Sequence, residues 1–138
     1  MIQRSYNIVL IFLVGILSVF VSCKNVIKPE AVIGRWNYIK VGNPYSRNPY
    51  DTVSARVLAE KAPYITFSSN GDLVIISESK VLSQGKYHVE DNNIEVTEQL
   101  ANGKTRVFPF YIIKLTDNEI TFETKEDDAV RVTAKRAK

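Results

Sequence analysis

Residues 64–78 read YITFSSNGDLVIISE, and this stretch decides the fold. Tyr64 to Ser68 is rich in the aromatic and β-branched residues that suit a strand. Asn70-Gly71 follows, and because both residues tolerate positive φ the pair is the strongest short-range hairpin signal a sequence offers. Leu73 to Glu78 is then the returning strand, and the local unit is antiparallel. Working outward, Ala31 to Val41 predicts a strand containing Gly34 and Trp36. Gln84 to Glu90 predicts another, with Tyr87 and Val89 on one face. Asp91-Asn92-Asn93 turns the chain into Ile94 to Glu98, and Asn102-Gly103 leads to Thr105 to Leu115. Asp117-Asn118 turns into Ile120 to Lys125, where Ile120 and Phe122 alternate with Thr121 and Glu123. The acidic group Glu126, Asp127, Asp128 precedes a last strand, Ala129 to Ala134. Eight strands joined mostly by tight turns predict an all-β, antiparallel, closed or nearly closed domain, barrel or sandwich.

One segment departs from this rhythm. Gly42 to Ala62 holds the near-repeat Asn43-Pro44-Tyr45 and Asn48-Pro49-Tyr50 with Arg47 between, and Ser54 to Lys61 predicts two turns of helix capped by Ser54. A connection this long in a compact domain is usually functional or locally structured. Pro109 removes one ladder donor from its strand and predicts a bulge or an edge there.

The N-terminus has a different composition. Ile8 to Val21 is a 14-residue run with twelve apolar members, preceded by a short polar stretch containing Arg4. It fits the apolar region of a secretory signal and is short for a membrane span. The run ends Phe20-Val21-Ser22-Cys23, which resembles a bacterial lipobox. That resemblance implies removal of residues 1–22 and attachment of a diacylglyceryl group to the sulfur of Cys23. It also accounts for a single cysteine in an exported protein, which has no partner for an internal disulfide. A two- or three-chain anchor is effectively permanent, at roughly 0.8 kcal/mol per buried methylene. Residues 23–30 are then a short lipidated tether and residues 31–138 the domain. Lys24 is not the aspartate of an inner-membrane retention signal, and residues 24–28 lack the acidic cluster that some lipoproteins use for display on the cell surface. The expected location is therefore the outer membrane of a Gram-negative bacterium, facing the periplasm. Residues 23–138 carry 17 basic and 15 acidic side chains, a balance that excludes a strongly basic nucleic-acid binder.

With Gly34-Arg35-Trp36 opening the first strand, the chain is similar to the lipocalin-like lipoproteins of bacteria. The further matches are Ile65-Thr66-Phe67-Ser68-Ser69-Asn70-Gly71, Gly85-Lys86-Tyr87, and Tyr111-Ile112-Ile113-Lys114-Leu115-Thr116-Asp117, so the likeness spans nearly all of residues 33–134. It implies a small up-and-down β-barrel of about eight strands, with Trp36 closing the floor beside a glycine that lets backbone pass close. It also implies an arginine of the last strand packed across that tryptophan. Arg131 is the candidate, although it would lie on the outer face if Val130 and Val132 face the core.

Catalytic constellations are not found. The one histidine, His88, lies between Tyr87 and Val89 and should face the opposite way, toward solvent. No Cys/His cluster suits zinc, no carboxylate spacing suits a calcium loop, and no Gly-rich cradle suits phosphate. Glu126 to Asp128 fit a solvated hairpin tip, and Lys135, Arg136 and Lys138 a basic end. The expectation is a protein without cofactor or catalytic activity, held to a membrane by its anchor. Its barrel would bind a small hydrophobic or amphipathic ligand, with Trp36, Tyr45, Arg47 and Tyr50 as candidate contacts and the 42–62 loop as partial cover. The alternative is a filled barrel that presents loops to an unknown protein partner.

Overall fold

The computed structural model describes residues 26–125 and 128–138. Eight strands run β1 (Gly34–Gly42), β2 (Tyr64–Phe67), β3 (Asp72–Ser77), β4 (Lys80–Glu90), β5 (Asn93–Gln99), β6 (Thr105–Leu115), β7 (Glu119–Glu123) and β8 (Arg131–Arg136). Each pairs antiparallel with its sequence neighbour, and β8 returns to β1, so the sheet closes as an up-and-down barrel. Closure leaves no continuous open edge, which is how such a sheet avoids edge-to-edge association. One short helix, α1 (Ala55–Lys61), lies in the β1–β2 connection and packs on β1. Among the described residues no helix is long and apolar enough to cross a membrane. The apolar run 8–21 and Cys23 lie outside the described residues.

The turns follow the backbone freedom of their residues. Gly71 and Gly103 hold φ of 88° and 77° in the two Asn-Gly turns, and Asp91 has φ of 53° at the β4–β5 turn. The β3–β4 turn has no such residues, yet Glu78 and Ser79 both adopt positive φ, 52° and 61°. Lacking that composition, the turn was hidden in the sequence, and β4 begins at Lys80 rather than at Gln84. Pairing of β6 with β7 begins only at Tyr111, so Pro109 has β5 on one side and no strand on the other. Its missing donor falls on that local edge. The bulge in β6 lies further on, between Ile112 and Lys114.

Alternation places Trp36, Ile65, Phe67, Leu73, Ile94, Val96, Phe110, Ile120, Phe122, Val132 and Ala134 inside, all within 5% exposure. The end of the barrel holding the β1 N-terminus is closed. Residues Ile27 to Ile33 cross beneath it, with Ile27 packed on the core and its N–H donating to the Asp91 carbonyl at 3.1 Å. Trp36 is fully buried there, and its Nε1–H donates to the Val32 carbonyl at 2.8 Å. The arginine across its ring is Arg136, not Arg131, with the guanidinium carbon 4.0 Å from the ring centroid. The correction is one of parity. Val132 and Ala134 point inward, so Arg136 does too, whereas Arg131 points out. Arg136 also donates to the carbonyls of Ala31, Ile33 and Asp117 at 2.8, 2.5 and 2.7 Å, and so seals the floor instead of forming a free basic end.

Candidate functional site

The opposite end of the barrel is open. Since β6 has no β7 partner before Tyr111, a gap separates residues 105–110 from the chain at Thr124, Lys125 and Asp128. A cleft of about 540 Å³ enters the barrel through this gap. Ile75, Phe108 and Phe110 give it an apolar wall, with the rings of Phe108 and Phe110 edge-to-face at 5.5 Å. Gly85 of β4 pairs with Glu98 but does not itself line the cleft. Opposite Glu98 it carries no side chain, and a Cβ there would lie 2.0 Å from the Thr97 carbonyl oxygen of the neighbouring strand.

Inside the cleft the alternation carries charge where apolar residues would be expected. Val96 faces inward, so Glu98 does as well; Phe108 packs on the core, so Arg106 faces the same space across the register pair Glu98 and Arg106. Both Glu98 oxygens are occupied. Ser83 Oγ donates to Oε1 at 2.9 Å, while Arg106 Nε and Nη2 donate to Oε2 at 3.0 and 2.7 Å. The Glu98 side chain is only 13% exposed and that of Arg106 54%, so the carboxylate is the inner member of the pair. The Arg106 guanidinium also lies 5.1 Å from the centroid of Phe108. On the lip, Lys125 Nζ sits 4.4 Å from the centroid of Tyr111. Such cation–aromatic contacts contribute about 0.5–1 kcal/mol at exposed sites.

None of Trp36, Tyr45, Arg47 and Tyr50 lines this cleft. Trp36 belongs to the floor. Arg47 and Tyr50 are exposed, Tyr50 at 91%. Tyr45 reaches the outer wall, where its hydroxyl donates to Glu123 Oε1 at 2.9 Å. The near-repeat around them is a pair of Asx turns: Asn43 Oδ1 accepts from the Tyr45 N–H at 2.9 Å, and Asn48 Oδ1 from the Tyr50 N–H at 3.1 Å. The loop then returns beside β1 through a Gly42–Thr52 bridge. Its residues Asn43, Pro44 and Thr52, with Lys40, Arg131 and Thr133, border a second and smaller cleft of about 250 Å³ on the outer face.

Glu123 is buried at 1% exposure although it lies on the outer side of β7. Arg131 Nη2 donates to its other oxygen at 3.1 Å. Burial opposes the Glu123 charge, but the hydrogen bonds from Tyr45 and Arg131 and the charges of Arg131 and Lys125 outweigh it and hold the carboxyl below its ordinary value. The hydrogen bond to Glu123, more than burial, raises the Tyr45 phenol.

Sequence reasoning missed Ser83, Glu98 and Arg106. The signal was present in the parity of Val96 and Phe108, extended two residues toward the strand ends. His88 is exposed as expected, 3.6 Å from Glu90. Among the described residues no three His, Cys, Asp or Glu side chains are grouped as metal ligands would be. Glu126 and Asp127 of the acidic group lie outside the described residues. The fold and cleft define a small antiparallel barrel that is consistent with a lipocalin-like fold. No family model matches the chain, and no curated protein matches it.

Proposed function

We propose that the chain is a lipid-anchored envelope protein whose barrel binds a small hydrophobic or amphipathic ligand, without catalysing a reaction. The observation that carries the binding reading is the cleft of about 540 Å³ with its apolar wall of Ile75, Phe108 and Phe110. Ligand pockets have about this volume and are mostly apolar with a few placed polar groups. The anchor rests on sequence alone: the apolar run 8–21, the lipobox-like Phe20-Val21-Ser22-Cys23, and a lone cysteine. Lys24 favours the outer membrane, and the lack of an acidic cluster in residues 24–28 favours its periplasmic side.

The test is native mass spectrometry of the chain from residue 23 carrying Cys23→Ser, after exposure to a lipid extract of its host. A retained adduct that disappears in Phe108→Arg, a change that fills the cleft with a charge, supports a carrier; a bare mass in both counts against one. For the anchor, Cys23→Ser in the full-length chain should abolish palmitate labelling, and labelling that persists would refute it. A second reading, a module that docks a protein partner, is favoured by exposed apolar side chains near the open end. Val81, Leu82 and Val107 are 56%, 65% and 59% exposed. Envelope crosslinking from position 82 separates the two readings.

A further inference from the structure

We propose that the cleft selects an amphiphile with an oxyanion head, a carboxylate or phosphate, seated at Arg106 with Lys125 beside it and its apolar chain lying against Phe108, Phe110 and Ile75. This deepens the ligand-binding reading and rests on it.

The argument starts from a charged pair on the inner face of a barrel. Taking a carboxylate largely out of water costs several kcal/mol that a partner often no more than offsets, and Arg106 is itself half exposed, so the Glu98–Arg106 pair is a poor choice for stability alone. It does, however, hold an arginine still. Glu98 takes Nε and Nη2 on one oxygen, and Phe108 supports the plane of the guanidinium from the side. Arg106 therefore keeps Nη1 unpartnered among the described residues, on a side chain that remains half exposed to the cleft. Glu98 is already engaged on both oxygens, Oε2 by Arg106 and Oε1 by Ser83, so its charge is answered from within the barrel wall. The polar group of this pair left without any partner among the described residues is thus a donor on a cation.

Lys125 adds a second cation on the lip, with Tyr111 as its contact and no ion pair among the described residues. Asp128, the other charged side chain on the lip among the described residues, is exposed as Lys125 is, and salt screens both over roughly 8–10 Å, which leaves Arg106 as the cation beside the apolar wall. A planar guanidinium fixed by one carboxylate recognises an oxyanion at its remaining edge, and such charge-assisted bonds are roughly twice as strong as neutral ones. A cationic head would have to compete with Arg106 for Glu98, and an uncharged head gains no charge-assisted bond there.

Isothermal titration of the chain from residue 23 carrying Cys23→Ser, which keeps every described residue, tests this with four probes of one chain length. These are decanoate, decyl phosphate, decanol and decyltrimethylammonium. Decanoate or decyl phosphate should bind on the order of tenfold to a hundredfold tighter than decanol. The tighter of the two names the head. Arg106→Gln should bring that probe down to the affinity of decanol while leaving decanol unchanged. Lys125→Gln, a change at an exposed side chain, should remove part of the advantage and keeps the test open if Arg106→Gln fails to fold. Equal binding of decanol, or tighter binding of decyltrimethylammonium, overturns the oxyanion head and leaves the cleft as a ligand site. If no probe binds, the ligand-binding reading fails and the inference with it.

Discussion

Two glycines show how single positions govern the approach of neighbouring strands. At Gly34 the backbone φ is 129°, a region that side chains rarely adopt, and a Cβ would lie 2.8 Å from Arg136 Nη1. At Gly85 a Cβ would lie 2.0 Å from the Thr97 carbonyl oxygen and 2.9 Å from the Glu98 Cα, both backbone atoms that move only with their strand. Gly85→Ala should therefore destabilise the barrel by about 3 kcal/mol, at the upper end of overpacking costs, read as a lower midpoint in urea denaturation. A loss below about 1 kcal/mol would mean that β4 and β5 separate there at little cost. The glycines themselves were legible in the Gly-x-Trp and Gly-x-Tyr patterns. Their reasons were not, because a close approach is a property of two strands. Arg136 is the opposite case: parity from Val132 already pointed to it, and only the choice of Arg131 obscured it.

Elements were legible where local chemistry is strong and blurred where tertiary context overrides it. Ser54 caps α1 as expected, its Oγ accepting the Val57 N–H at 3.3 Å. Ala62 ends the helix at φ 42° and ψ 54°, a left-handed position where a Cβ is penalised. Ser54→Ala should cost about 1 kcal/mol and Ala62→Gly should gain up to about 1 kcal/mol, opposite shifts in thermal midpoint that calorimetry can read. Shifts of the same sign would show that the helix ends do not control this segment. The β3–β4 turn could not be read because Glu78 and Ser79 are forced into positive φ by the strands on either side. Their conformation is supported by the Glu78 N–H donating to the Lys61 carbonyl at 2.8 Å, a contact from outside the hairpin. The 42–62 loop was readable as exceptional, but its near-repeat serves backbone turns, and the tyrosines part company, one toward Glu123 and one toward water.

At the scale of the whole molecule the barrel has two unlike ends. The floor is tied by Arg136 to three carbonyls, while the open end carries its charge on the Glu98–Arg106 pair and on Lys125 of the lip. The eight strands and their turns left barrel and sandwich open, and only the lipocalin-like resemblance pointed to up-and-down closure. The position of the opening was not legible, since it depends on where the pairing of β6 with β7 begins. On the outer wall, Tyr45 straps the long loop to β7 through Glu123, with Arg131 of β8 on the same carboxylate. This strap should make global stability depend on pH in a defined way. The Glu123 carboxyl is held below its ordinary 4.5, so its contribution is complete above that value and is lost as pH falls through the lower, folded one. The Tyr45 phenol is raised above its ordinary 10.0, so its contribution is complete below that value and is lost as pH rises through the higher, folded one. Denaturation midpoints measured across pH should therefore show a plateau between these limits with a fall on each side. Tyr45→Phe removes the donor while keeping the ring, and should lower the plateau, reduce the acid fall and abolish the part of the alkaline fall that belongs to this phenol. Tyr38 and Tyr87 are raised by burial alone and would keep their own alkaline loss in both proteins. A variant with the same acid profile as the parent would show that the loop is held by its backbone turns and that Glu123 answers only to Arg131.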